Sequence, residues 1–467
     1  MEPSDCYRSF IQQFPQYLTT SSLDDLRQRD YARLDTQGHV YLDYTGAGLY
    51  AESQVQKHHQ LLSSDVFGNP HSSNPTSLAS TRLVESARDA VLRFFNAPAE
   101  EYVVIFTANA SGALKLVGES YPFAENGHYL LTFDNHNSVN GIREYALTHG
   151  ANVTYIPMVL PEMTIDEQKL RNSLNLAKPS QPNLFAYPAQ SNFSGLQHSL
   201  EWIELAHAKG WDVLLDVAAF APTNPLDLRR YPADFVPISF YKMFGYPTGI
   251  GALIARRSTL AKLQRPWFAG GTITVASVQG EKHYMADAPY AFEDGTINFL
   301  SIPAVEIGLD HLKTIGLENI HNRVHALTAY LLAELPKIKH ANGKPVLKIY
   351  GPLDAENRGG TIALNFVDAQ DRVIDHRFVE EKANQMRISL RTGCFCNPGA
   401  GEIALGISSS ELQSCFRRPS YESHLTYDEF RLCIDGKASG AVRISVGMVS
   451  NYADVDAFIR FAGSLAQ

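Results

Sequence analysis

The chain has 467 residues, of which 45% are hydrophobic and 19% charged, and a formal net charge of −9. This composition belongs to a folded globular protein and excludes a mainly disordered one. The acidic balance offers no general attraction for nucleic acid or an anionic membrane. Five cysteines in this length exclude a disulfide scaffold and point to a reducing compartment, so a cytoplasmic chain is expected. At roughly 100–200 residues per domain, the length predicts two or three domains, or one large domain with an attached lobe. The N-terminal Met-Glu-Pro-Ser-Asp-Cys lacks the basic and apolar regions of a secretory signal. No apolar run reaches the ~18 residues of a membrane span.

Residues 1–30 are polar with scattered aromatics and predict a short helical arm. Seven β-rich runs follow, at Val103–Phe106, Tyr129–Phe133, Val153–Pro157, Leu184–Pro188, Val213–Asp216, Phe235–Phe240 and Ile250–Ala255. Helical patterns lie between several of them. One spans about Leu78–Phe95, with Leu83, Ala87 and Val91 on one face. Another spans about Leu200–Lys209 and stops at Gly210. Strands alternating with helices predict a mostly parallel seven-stranded α/β sheet, with ligands at the carboxyl ends of the strands. The texture changes after residue 300. Residues 303–337 read as one long helix or two, followed by strands at Val346–Tyr350, Thr361–Phe366 and Val442–Val446 and a helix near His376–Gln385. The expected organisation is therefore an arm (1–30), a large domain (31–310) and a smaller α+β lobe (311–467). Residues 405–440 are polar and irregular, with no assignable element.

Five segments carry chemistry. In Ser239-Phe240-Tyr241-Lys242, followed by Gly245, Pro247 and Gly249, a lysine stands just beyond an apolar strand. Such an amine forms a Schiff base with an aldehyde cofactor such as pyridoxal phosphate; a surface lysine in a turn is the plainer alternative. Asp216 ends the apolar run Leu214-Leu215-Asp216. A buried carboxylate needs a partner, which a pyridinium nitrogen would supply; a helix N-cap is the alternative. Phe106-Thr107-Ala108-Asn109-Ala110-Ser111-Gly112 joins a strand to a helix through small residues. That suits an anion at the helix start, or a simple cap. His136 follows the Tyr129–Phe133 strand and either stacks on a ring, moves protons or is structural. Finally, Arg391-Thr392-Gly393-Cys394-Phe395-Cys396-Asn397-Pro398-Gly399 is a glycine- and proline-flanked loop, expected to be mobile, with two cysteines one residue apart. Exposure and the nearby Arg391 favour a thiolate. Cys415 and Cys433 lie too far along the chain to complete a metal site with them, so no metal is expected.

Together these segments resemble the class V group of fold-type I pyridoxal phosphate (PLP) enzymes, the cysteine desulfurase relatives, and in particular the N-terminal domain of molybdenum cofactor sulfurases. The likeness runs from about residue 30 to the end. It also rests on Tyr41-Leu42-Asp43-Tyr44-Thr45-Gly46-Ala47, Asp134-Asn135-His136-Asn137-Ser138-Val139 and Phe292-Glu293-Asp294-Gly295-Thr296. The resemblance implies PLP on Lys242, Asp216 at the pyridinium nitrogen and His136 on the ring face. It implies Asn192 at the phenolic oxygen, with Ala110, Ser111 and Ser239 at the phosphate. Thr296 would reach the phosphate of a second subunit in a homodimer. Arg443, with Arg391 near it, would take the substrate carboxylate, and Cys396 would accept sulfur from L-cysteine, releasing L-alanine. Cys394 has no implied role, and the remaining three cysteines read as incidental thiols. Two departures from ordinary desulfurases stand out: Tyr241 where they carry histidine, and Ala219 where they carry glutamine. Both fit the sulfurase-like branch. The rival expectation is a PLP lyase, decarboxylase or aminotransferase acting on another amino acid, with Cys396 dispensable. The chain ends about 20 residues after Arg443. No room for the further domain of full-length sulfurases is therefore expected, and the sulfur acceptor is left open.

Overall fold

A computed structural model describes residues 5–417, 424–434 and 439–466. Its centre is a seven-stranded sheet built from β1 (Tyr102–Thr107), β2 (His128–Thr132), β3 (Asn152–Ile156), β4 (Asn183–Pro188), β5 (Asp212–Asp216), β6 (Phe235–Ser239) and β7 (Gly251–Arg256), in the order β1-β7-β6-β5-β4-β2-β3. The pairs β6–β5, β5–β4, β4–β2 and β2–β3 are parallel, and β7 runs antiparallel to both of its neighbours. The seven predicted runs thus become the seven strands, within one or two residues at their ends.

These strands are near-continuous apolar runs because both faces of the sheet are covered. Alternate residues feed opposite cores. Val104 and Phe106 of β1 enter one cluster, while Val103 and Ile105 enter the other; Val213 and Leu215 part in the same way from Leu214. Helix α1 (Pro75–Phe94) starts at Asn74, whose side chain accepts from the Ser77 N–H, and carries proline in its first turn. Its core face is Val84, Ala87 and Val91. Leu83, expected there, is half-buried beside that stripe.

The carboxyl ends of β1, β2, β4, β5 and β6 gather along one edge. Helix α2 (Ala110–Ser120) leaves β1, the short α3 (Asn137–Asn140) follows β2, and α4 (Phe240–Phe244) follows β6. Residues 303–334 form two helices, α5 (Pro303–Ile315) and α6 (Leu317–Glu334), parted by Gly316 at φ +84°.

The C-terminal lobe is a four-stranded antiparallel sheet of β8 (Leu347–Tyr350), β9 (Thr361–Phe366), β10 (Arg391–Gly393) and β11 (Ala441–Ser445), in the order β8-β9-β11-β10. Helices α7 (His376–Gln385), α8 (Pro398–Leu405) and α9 (Tyr452–Ser464) accompany it. Val40 and Tyr41 pair with Ile388 and Ser389, and Asp43 bridges to Ser445, so this early segment runs along the C-terminal lobe. The N-terminal helices are anchored there too. Arg27 reaches Asp454 at 2.5 Å and the Val449 carbonyl at 2.8 Å, and Arg323 pairs with Asp24 at 2.9 Å.

Within the segment expected to be a loop, Arg391–Gly393 forms strand β10 and Pro398–Leu405 forms α8, and further features escape the sequence pattern. A hairpin of Ile273–Ser277 and Lys282–Met285 stands between β7 and α5. The stretch without an assigned element contains the helices Ser409–Phe416 and Tyr427–Cys433, joined by a Cys415–Cys433 disulfide; part of it lies outside the described residues. While Cys6 is free, for Cys415 and Cys433 this corrects the expectation of incidental thiols. The two Cα atoms are 5.5 Å apart, a separation a disulfide spans and one that linear distance in the sequence conceals.

The lysine-bearing helix α4 is seated against α5 through one glycine. A Cβ on Gly308 would run into the Phe244 ring. Gly308→Ala should therefore cost about 1–3 kcal/mol through overpacking. Thermal denaturation reads this as a lowered Tm, and an unchanged Tm would show that the α4–α5 contact has slack.

Candidate active site

The strand ends converge on a cavity of about 440 Å³, lined among others by Ala110, Ser111, His136, Asn192, Asp216, Ser239 and Lys242. Pro188 and Asp216 are register partners at the ends of β4 and β5, and Ser239 and Gly251 are partners on β6 and β7. Gly251 is small for a reason: a Cβ there would sit 2.5–2.6 Å from the Asn109 backbone, which closes against it as α2 begins. Asn109 caps α2, its side chain accepting from the Gly112 N–H at 2.8 Å. That leaves the first-turn N–H groups of Ala110 and Ser111 without a partner inside the helix. With the helix dipole they form an anion seat facing the cavity. The Ser111 hydroxyl lies 2.6 Å from that of Ser138.

Asp216 is buried, and its Oδ1 accepts from the Ala218 N–H at 2.9 Å. Burial pushes the Lys242 amine below the ordinary lysine range. Asp216 opposes that shift, Arg443 adds to it, and Cys396 and Asp43 oppose it more weakly. His136 caps α3, its Nδ1 accepting from the Ser138 N–H at 3.1 Å. This assigns the proton of the neutral ring to Nε2. Burial lowers His136, against the pull of Asp216.

The cysteine loop lies beside this cavity. Cys394 to Asn397 form a turn closed by the Asn397 N–H on the Cys394 carbonyl at 2.9 Å, with φ of +57° at Phe395 and +56° at Cys396. Two consecutive left-handed residues that are not glycine persist only where their surroundings fix them. Here Asn192 donates to the Phe395 carbonyl at 2.8 Å and the Asn137 N–H to the Cys396 carbonyl at 2.7 Å. Asn397 donates both to the Asp134 carbonyl at 2.7 Å and to Asn192 Oδ1 at 2.8 Å. Asn397 also caps α8 through the Ala400 N–H. The loop expected to be mobile is pinned on both sides, while the Cys394 and Cys396 side chains remain exposed. A charge on the Cys396 sulfur raises both Lys242 and Arg443, which puts the three groups in one electrostatic neighbourhood.

Other expected residues sit differently. Asn192 lines the cavity, but its amide is turned to the cysteine loop. Arg443 and Arg391 lie beyond the cavity wall, both ion-paired to Asp43, at 3.1 Å and 2.6 Å. Thr296 lies in an adjoining cavity of about 360 Å³ that shares Ala108 and Gly249 with the first, and it accepts from Asn69 at 3.3 Å. Asp43, Asn137 and Asn397 have no assigned role in the sequence reading. The Asn-Pro step at 397–398 is a readable helix start. Asp43 carries no local signal, because its partners are hundreds of residues away. Among the described residues no cluster of three or more metal-ligating side chains occurs, and no helix is long and apolar enough to cross a membrane.

The chain is 40% identical over 462 residues to the molybdenum cofactor sulfurase of Homo sapiens, a match covering 94% of the chain and 51% of that protein. It is 37% identical over 495 residues to the Arabidopsis thaliana molybdenum cofactor sulfurase, covering 97% of the chain and 60% of that protein. It thus spans only about half to three fifths of the length of these relatives. The fold matches the apo cysteine desulfurase of Thermococcus onnurineus with a TM-score of 0.78 at 23% identity, covering 95% of the chain and 98% of that structure. It matches the Escherichia coli cysteine desulfurase CsdA with a TM-score of 0.73 at 20% identity, covering 95% and 98%. The family model described as aminotransferase class-V matches residues 40–458, from the Val40–Tyr41 segment into helix α9, and the chain belongs to that family.

Proposed function

We propose that this chain is a PLP-dependent cysteine desulfurase, converting L-cysteine to L-alanine and leaving the sulfur as a persulfide on Cys396 for an acceptor. The observation that carries this reading is a lysine amine lining the cavity with an exposed, clasped cysteine thiol on the loop beside it. The cavity fits the cofactor. Its volume is within the ~300–1,000 Å³ of small-molecule sites, it offers the Ala110–Ser111 helix start to a phosphate, and it sets the Asp216 carboxylate and the Lys242 amine around a ring-sized space. The bound cofactor supplies an electron sink for the pair released at the substrate α-carbon.

The chain's own residues do the rest. The lowered Lys242 keeps a larger neutral fraction, which suits an amine that accepts the α-proton. Neutral His136 presents its Nε2–H to the cavity and avoids a second cation beside Lys242. Asp216 holds the negative charge that a protonated ring nitrogen needs. The Cys396 thiolate attacks the substrate sulfur. The C–S bond breaks, a proton is delivered to the carbon left behind, and sulfane sulfur stays on Cys396. The exposed thiol then gives up that sulfur without the turn having to unfold.

The names of the relatives support a molybdenum cofactor-related acceptor. A homodimer completes the reading, with Thr296 of each copy serving the other copy's phosphate. The exposure of Thr296, next to the anion seat yet outside the main cavity, supports that arrangement.

Lys242→Ala should lower alanine formation by roughly 10²–10⁴-fold and abolish the visible absorbance of the cofactor-loaded protein. Cys396→Ala should keep that absorbance and lose alanine formation from L-cysteine. Wild-type turnover in the Cys396 variant would favour a lyase or aminotransferase instead. Asn397→Ser retains a helix cap but is too short for the two donations that clasp the loop. Steady-state assay should show its kcat down about tenfold to a hundredfold, with Tm little changed. A kcat equal to wild type would mean that the clasp does not position Cys396.

A further inference from the structure

The family resemblance implies Arg443 as the clamp for the substrate carboxylate, yet it already holds a carboxylate, that of Asp43. Strands β10 and β11 pair in a register that sets Arg391 directly opposite Arg443. Like charges so placed repel. The Arg443 side chain is only 4% exposed and that of Arg391 is 51% exposed, so the repulsion falls on a poorly solvated cation. Asp43 lies between them. Its Oδ2 accepts from Arg391 Nε at 3.0 Å and Nη2 at 2.6 Å, and its Oδ1 accepts from Arg443 Nη2 at 3.1 Å. Gly46 makes the space: a Cβ there would lie 2.5–2.6 Å from the Asp43 carboxylate oxygens and from Arg391 Nη2.

Two guanidiniums and one carboxylate leave the cluster one negative charge short. The remaining direct contacts of Arg443 do not supply it, and a Cys396 thiolate acts on it only through space. Nη1 donates to the neutral Asn192 carbonyl at 3.0 Å, the guanidinium lies 4.8 Å over the Phe395 ring, and Nε is buried without a partner. The bonds of Asp43 are also unequal. Arg391 holds Oδ2 with two, one of them short, while Arg443 holds Oδ1 with one longer bond.

Resting on the reading of Arg443 as the clamp, we infer that Asp43 is a resident competitor for Arg443: it occupies the guanidinium between turnovers and yields it to the incoming α-carboxylate while Arg391 retains it. The exchange replaces one carboxylate by another, so the buried guanidinium is never left uncompensated. No proton moves and no bond other than hydrogen bonds changes. Arg391, half exposed, is free to follow the displaced Asp43. Asp43 is thus a positioning and specificity residue, holding carboxylate affinity below its maximum so that the amino-acid product leaves.

Calorimetric titration of the cofactor-loaded protein with L-alanine tests this without relying on turnover. Asp43→Asn should tighten L-alanine binding roughly tenfold, the scale of a charge-assisted hydrogen bond no longer competed for. Asp43→Ser serves where that variant does not fold. Arg391→Gln should weaken binding, because Asp43 then turns fully onto Arg443, and this loss should vanish in the Asp43→Asn background. Folded Asp43 variants that bind L-alanine as wild type or more weakly would overturn the inference, as would an Arg391 loss that persists without Asp43. If Arg443→Lys leaves L-alanine binding unchanged, it is the clamp assignment that fails.

Discussion

Charge buried at the seam between the two lobes is the constraint on which the site depends. Lys242 lines the cavity and Arg443 is buried, and a positive charge at either place costs free energy unless an anion is close. Asp216 answers the first from the end of β5, and Asp43 answers the second from the segment that runs along β11. Asp216 ends β5 and Lys242 follows the neighbouring strand β6 of the central sheet, whereas Asp43 reaches Arg443 from 400 positions away in the sequence. The lysine loop, the early segment and the C-terminal sheet must therefore all be in place before the electrostatics balance.

The cysteine loop adds a second constraint. Left-handed backbone at Phe395 and Cys396 is unfavourable by about 1–2 kcal/mol per residue. It is sustained by donors from three directions: Asn137 beside His136, Asn192 from the cavity wall, and Asn397 from the start of α8. The same turn that strains the backbone leaves the thiol exposed, within electrostatic reach of Lys242. Asn192 is common to both constraints, since its side chain clasps the loop and its carbonyl takes Arg443.

Much of this was legible in the sequence, because it is local. Apolar runs bounded by turn residues mark the seven strands, and a lysine or aspartate at the end of such a run marks the sheet's carboxyl edge. What stayed hidden is set by contacts between distant segments. Asp43 and Arg391 are 348 positions apart, and no local pattern reveals that one carboxylate bridges two opposed arginines. The hairpin at 273–285 exposes Val275, Val278 and Tyr284, so it lacks the half-buried alternation that identifies a strand. The Cys415–Cys433 pair likewise depends on two short helices meeting. Asn192 shows the same limit in reverse. Its place in the chain points to the cavity, but the orientation of its amide is decided by a loop 200 residues away.

The most direct test of the central claim is mass spectrometry of the peptide carrying residues 391–401 after a single turnover with L-cysteine, taken before any acceptor is added. Sulfur capture at this site predicts one additional sulfur atom on Cys396 for each alanine formed, with Cys394 unmodified. Alanine released while Cys396 stays unmodified would contradict it.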